Sequence, residues 1–199
     1  METKKMLAGI KEHVEQLFNT YTKPWLLYHN LAHTQQVVQH AEEIAAYYLL
    51  EEDILFVLLA AAWFHDTGQL LGDMATHEES GVQIMRSYLS DQQVDEKIQD
   101  EIAQCILATK MPVKPVTLIE KILCDADTYH LGTQDFIIMD KLVWQELELR
   151  LARTFDKHAE HTLHFLEAHT FYTAYCQQLL NEGKHQNMQQ LKRIMAGSS

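Results

Sequence analysis

Apolar residues recur at helical spacing along most of the chain. Leu7, Ile10, Val14, Leu17 and Phe18 share one face and predict a helix over about 3–19. The segment Tyr21 to Trp25, which contains Pro24, interrupts that pattern. It resumes after Asn30, a good N-cap residue, where Val37, Val38, Ala41, Ile44, Ala45 and Tyr48 predict a second helix. The run DILFVLLAAAWF is apolar nearly all round and predicts a central buried helix that stops at His65-Asp66, with Gly68 as its C-terminal signal. Thr76-x-x-Glu79 and Ser90-x-x-Gln93 each have the form of a capping box, opening helices to about Leu89 and Ala108. TKMPVKP, with two prolines, is a loop. A helix from Val116 to Cys124 is expected to deliver Asp125 and Asp127 at its end, followed by helices over about 134–151 and 155–180 and a charged, poorly patterned tail.

This pattern predicts an all-α fold: a compact helical bundle with C-terminal helices packed on it. We expect one domain over 1–199, with a core at about 28–132 that holds the chemically informative residues and a helical extension at about 133–195. Composition agrees. Only 7 Gly and 3 Pro in 199 residues leave little material for the turns of an all-β fold, and 47% hydrophobic residues are enough for a sizeable core.

Charge narrows the partners. A formal net charge of −12 disfavours nucleic acid and anionic membranes, and an anionic substrate would need a local positive centre. The longest apolar run, Ile54 to Phe64, is too short to span a bilayer. The N-terminus, METKKMLAGIKEHVEQLF, lacks the apolar stretch of a signal peptide. Cys105, Cys124 and Cys176 form no CxxC pair and read as buried free thiols, so a cytoplasmic location is expected.

The candidate chemistry lies in His33, the doublet His65-Asp66 and Asp127, each at the end of a predicted helix. Imidazole and carboxylate donors suit a divalent transition metal or magnesium, and four of them leave an octahedral ion positions open to water and substrate. Adjacent residues point about 100° apart on a regular helix, so His65 and Asp66 can share a cation only where the backbone leaves the helix.

The order H…HD…D, with AAWFHDTG in the middle and CDADTYHLG late, resembles the HD superfamily of metal-dependent phosphohydrolases over roughly 28–132. The resemblance implies that His33, His65, Asp66 and Asp127 bind a divalent metal (Mn, Mg, Fe, Co or Zn). Asp127 is preferred to Asp125 because relatives often present this ligand in an Ala-Asp pair, here Ala126-Asp127. The string YHNLAHT, 28–34, is similar to the YHNxxH segment of the cyclic-nucleotide phosphodiesterase branch. That likeness implies His33 as ligand and His29 as the acid that protonates the leaving oxygen, two roles that i,i+4 spacing would place on one helix face. Asp66 is expected to bind metal and help orient the nucleophile, hydroxide formed from water acidified by the metal.

Other positions are less constrained. His77 falls where dinuclear relatives carry an additional histidine, and reads either as a contact to water or phosphate or as a first-turn helix residue. The second such histidine is missing, since Thr109-Lys110 stand in its place. Lys110 is the basic candidate for a phosphate contact, with a solvated loop lysine as the other reading. The chain departs from the family after the doublet, where Gln69 and Leu70 replace an expected basic residue. His158, His161, His164 and His169 diverge around a helix axis and read as a solvated or cleft-lining face. Trp144 with Leu147 and Leu151, and Phe165 with Phe171 and Tyr172, read as core packing more than as a base-stacking cage, with the alternative that one of them covers the metal cleft from the C-terminal helices.

The function implied is hydrolysis of a small phosphoester, a nucleotide or cyclic nucleotide, with no nucleic acid or membrane as partner and a homo-oligomer compatible with the sequence. The competing reading is a metal-containing ligand sensor or regulatory protein that has lost turnover. A di-iron oxygenase would need two more histidines.

Overall fold

In the computed structural model, residues 2–71 and 73–197 are described, so both ends of the expected 1–199 unit lie outside the described residues. These residues form nine α-helices and no strand: α1 Glu2–Tyr21, α2 Leu31–Tyr48, α3 Glu52–Phe64, α4 His77–Asp91, α5 Glu96–Ala108, α6 Leu118–Asp127, α7 Phe136–Leu151, α8 His158–Ala168 and α9 Ala174–Gly197. Two short 3-10 segments, Thr67–Leu71 and Tyr129–Gly132, follow α3 and α6.

The apolar helix α3 is the centre. Every residue from Phe56 to Phe64 is buried, because α1, α2, α5 and α6 all pack around it. Helix and 3-10 turn together, Glu52–Leu71, reach the length and apolarity of a membrane span, but 83% of the apolar stretch is buried inside the bundle. Ile10, Val14 and Phe18 bring the predicted face of α1 into this core, and Val37, Ala41 and Ile44 do the same for α2. Asn30 caps α2 as expected: its Oδ1 accepts from the His33 amide at 3.1 Å.

Both expected capping boxes fail. Thr76 does precede α4, but its hydroxyl donates to Asp73 Oδ2 at 2.9 Å and makes no cap bond. Ser90 lies inside α4, Gln93 takes a left-handed φ of 60°, and α5 is capped instead by Asp95, which accepts from the Lys97 amide at 2.9 Å. The real box is Thr117–Glu120, and it opens α6 two residues later than expected. In each failed pair a nearer polar partner took the hydroxyl or the chain had not yet left the previous helix.

Gly68 does not end α3 by a left-handed turn. A Cβ there would meet the His77 carbonyl oxygen at 1.9 Å, so a side-chain-free position lets the 3-10 turn lie against the start of α4.

The C-terminal part differs from expectation in two respects. The helix expected over 155–180 is broken between α8 and α9, because the fully buried Asp125 carboxylate accepts from the amides of Tyr172 and Thr173 (2.8 Å each) and the Thr173 hydroxyl (2.6 Å). A linking segment that donates two amides sideways cannot also continue a helix. The supposed tail is the long helix α9, and Leu180 and Leu191 bury on one side of it. It crosses the turn after α6 at two glycines: a Cβ on Gly183 would lie 2.0 Å from the Gly132 carbonyl oxygen, and one on Gly132 would lie 2.5 Å from Leu180 Cβ.

Candidate metal centre and active site

Three helices end at one place. The first turn of α2 brings His33, the exit of α3 brings His65 and Asp66, and Asp127 is the last residue of α6. His65 still has helical angles, and the chain then tightens into the 3-10 turn, which is how adjacent residues come to face one point. His33 Nε2 lies 3.0 Å from Asp127 Oδ1 and 3.4 Å from Asp66 Oδ2. His65 Nε2 lies 3.3 Å from Asp66 Oδ2 and 3.7 Å from Asp127 Oδ1. One donor atom from each of His33, His65 and Asp127 falls within 4.8 Å of the others. Asp125, the alternative carboxylate, faces the α8–α9 link instead.

The donor set fits a divalent cation. His65 Nδ1 lies 2.8 Å from the Ala62 carbonyl, to which it donates, so Nε2 is the nitrogen presented to the cluster. That Nε2 and Asp66 Oδ2 are buried and have no hydrogen-bond partner. Buried polar atoms without partners are rare, and alternating imidazole and carboxylate donors are what a hard or borderline metal binds. Burial pushes the His65 imidazole down, yet the Asp66 and Asp127 carboxylates outweigh it and hold it well above its ordinary value. Burial likewise opposes ionisation of Asp66 and Asp127, but the surrounding histidines draw both below the usual carboxylate range. Protons and a metal ion therefore compete for the same atoms.

His29 is close to this cluster, its ring centroid 5.9 Å from that of His33. The reason is not helical spacing, since His29 precedes the cap of α2. Glu146 of α7 holds it: one carboxylate oxygen accepts from the amides of Tyr28 (2.8 Å) and His29 (3.0 Å), and the other lies 2.8 Å from His29 Nδ1. Burial lowers the His29 imidazole, but Asp66, Glu146 and Asp127 together raise it on balance.

Glu146 was missed by sequence reasoning. It is 2% exposed and also accepts from Arg150 Nη1 at 3.2 Å. Arg150 reaches Gln69 Oε1 as well, at 2.6 Å, so a guanidinium from α7 comes to the position after the doublet where the chain lacks a basic residue. The available signal was the Glu146–Arg150 spacing of four, which looks like any surface helix pair.

His77 Nε2 lies 3.7 Å from Asp66 Oδ1 and 3.4 Å from the buried Glu78 carboxylate, while its Nδ1 lies 2.9 Å from the Met74 carbonyl. His77 thus borders the cluster, and Glu78 is a second carboxylate there that the pattern did not single out. Lys110 is engaged elsewhere, with the Glu79 carboxylate and the Ala75 carbonyl, and fastens the 109–117 loop to the start of α4.

On the side of Asp127 and His29 the cluster opens into a cavity of about 430 Å³, walled by the 109–113 loop, the end of α6, α7, α8 and the α8–α9 link. Trp144, Leu147, Phe165 and Tyr172 line it, which corrects their assignment to the core; Phe171 alone of that set is core, and Leu151 is exposed. His161 and His169 also line it, whereas His158 stacks on Trp144 at 4.5 Å and contacts Glu148, and His164 is exposed. The four histidines build no second metal centre among the described residues. The three cysteines are free and buried.

The described residues thus form an all-helical bundle in which His33, His65, Asp66 and the partly exposed Asp127 converge from three helix ends. The HD domain family matches residues 30–132, and the chain belongs to that family. A solved structure described as a predicted HD superfamily hydrolase from an uncultured Thermotogales bacterium shares the fold, with a TM-score of 0.62, 21% identity, and coverage of 96% of this chain and 92% of that one. No curated protein matches the chain.

Proposed function

We propose that the protein is a metal-dependent phosphohydrolase that cleaves a small phosphoester, a nucleotide or cyclic nucleotide. The observation that carries this reading is the convergence of His33, His65, Asp66 and Asp127, two of whose buried atoms lie 3.3 Å apart without a hydrogen bond, beside a cavity large enough for a substrate. The four side chains would hold the ion; manganese, magnesium, iron, cobalt and zinc are all compatible with N and O donors. A divalent cation held there would acidify bound water and draw charge from a phosphoryl group.

The chain's own residues supply the rest. His29, beside the ligands and lining the cavity, donates a proton to the departing oxygen. Glu146 holds the Nδ1 side of that ring, so Nε2 is the atom that can face the substrate. Burial of His33, His65 and Asp66 keeps their donor atoms away from bulk water and fixed in direction. Asp127, with 27% of its side chain exposed, is where the cluster meets the cavity.

The test is elemental analysis of the purified protein followed by turnover of phosphomonoesters, phosphodiesters and cyclic nucleotides with added manganese, magnesium, cobalt or zinc. Turnover that disappears in Asp66→Ala supports the enzyme. A loaded metal with no turnover of any phosphoester favours a ligand sensor.

A further inference from the structure

Helix α7 is apolar on two opposite sides. Val143, Trp144 and Leu147 line the cavity, and the buried residues of the helix are Phe136 and Glu146. Ile138 lies about 180° from Leu147 around the helix axis and so faces away from the cavity. It is 61% exposed, and Leu149, at 57%, shares its side, with the half-buried Leu142 and the exposed Gln145 between them. Steps of four, three and four residues along 138, 142, 145 and 149 are the a/d repeat of a coiled coil. The chain's own elements meet α7 on its other sides. Glu146 turns to Tyr28 and His29, Arg150 to Gln69, and Trp144 to Thr162 of α8. Single exposed apolar residues are ordinary, but an aligned seam on a helix that buries so little within its own chain fits a partner helix.

The seam is complementary to itself. Laid antiparallel on a second copy about a two-fold axis, it forms layers of Ile138 on the other copy's Leu149 and Leu142 on the other copy's Gln145, each repeated by symmetry. Lys141 and Glu148 flank the seam on one side, seven residues apart, and the same arrangement brings each lysine to the other copy's glutamate. Glu148 is fixed for that contact, because its Oε1 accepts from the Phe155 amide at 2.8 Å and lies 3.0 Å from His158 Nε2. A parallel pairing would instead aim Lys141 at position 146, whose carboxylate is buried in its own chain. We propose that α7 is the pairing helix of a homodimer, two copies of the chain meeting antiparallel along Ile138, Leu142, Gln145 and Leu149. The pairing braces, from the outside, the helix that walls the cavity and holds His29 through Glu146, and it leaves the cavity side uncovered. One helix per chain is a small interface, so a Kd on the order of micromolar is expected.

Sedimentation equilibrium of the full chain reads this directly. At about 0.15 M salt the repulsion between two chains of net charge −12 is screened, and at high micromolar concentration the mass should be twice the 23.1 kDa of one chain. Leu149→Glu should weaken association on the order of a hundredfold or more, since each dimer would then hold two carboxylates against apolar partners. A circular dichroism melt identifies a variant that has lost its fold. In that event Lys141→Glu, at an exposed position, takes its place and should weaken association on the order of tenfold, because two attractive pairs become repulsive. Orientation follows from cross-linking with copper phenanthroline, the native cysteines being buried. Ile138→Cys mixed with Leu149→Cys should give the mixed disulfide-linked dimer, and Ile138→Cys alone should give little. A wild-type chain that stays monomeric overturns the pairing, and so does a dimer that the folded seam variant leaves intact. Ile138→Cys linking to itself in place of the mixed product overturns the antiparallel arrangement. These measurements involve no turnover, so the phosphohydrolase reading stands or falls separately.

Discussion

His29 and Glu146 form the part of the site whose chemistry depends most on single atoms. Glu146 raises the His29 imidazole through its charge and its bond to Nδ1. Glu146→Gln keeps the shape but removes the charge, so the imidazole gives up its proton at lower pH. A proton donor must be protonated to act, and the alkaline limb of the kcat–pH profile should therefore move to lower pH. Metal content should stay unchanged, which a merely structural loss would not predict. His29→Ala should likewise leave the metal in place while lowering turnover by about 10²- to 10⁴-fold, the usual contribution of general acid catalysis. Loss of metal in His29→Ala, seen by elemental analysis, would overturn the division of roles. Asp127 was told from Asp125 by the family resemblance of its Ala-Asp pair, and His33, His65 and Asp66 could be picked out of the sequence because their residue types and helix-end positions are local facts. Glu146 could not, because its partners lie 117 and 118 positions away and its own helix gives an i,i+4 pair that looks solvent-exposed.

At the level of elements, the apolar periodicities of α1, α2 and α3 were legible because they record burial directly. Their ends were less so. Capping depends on which polar group arrives first, as Thr76 and Asp73 show, and the break between α8 and α9 depends on Asp125, which is some 50 positions earlier in the chain. The close approach at Gly68 is another tertiary fact that a sequence pattern misreads as a helix stop. Gly68→Ala would drive a methyl group into the His77 carbonyl, 1.9 Å from an ideal Cβ, so the 3-10 turn or α4 must shift. A loss of roughly 2–3 kcal/mol in denaturant unfolding is expected, the upper part of the cost of strained overpacking. Because the turn directly follows Asp66 and α4 begins with His77, metal affinity should fall with it. An unchanged melt would show that the turn accommodates a side chain.

Across the whole molecule the candidate ligands come from three helices and span 33 to 127, so an unfolded chain offers no formed site. A metal that binds only the native state adds stability through mass action, about 2.7 kcal/mol at a hundredfold excess over Kd. Manganese added to the chelator-treated protein should therefore raise Tm by roughly 5–10 °C, and by nothing in Asp66→Ala. The increment should shrink as pH falls, because the raised His65 imidazole keeps its proton in competition with the ion. A pH-independent increment would argue that the histidine is not a ligand. The crossing of Gly132 and Gly183 bears on how such a protein can diversify. One residue inserted ahead of Gly183 would turn α9 by about 100° and press a side chain against the Gly132 backbone, five positions beyond Asp127. Apolar side chains such as Val143, Leu147, Phe165 and Met111, which line the cavity without such a backbone contact, can be exchanged one at a time. The walls that select a ligand are thus free to drift while α9 is locked in register with the metal centre, and new specificities can arise without re-inventing the chemistry.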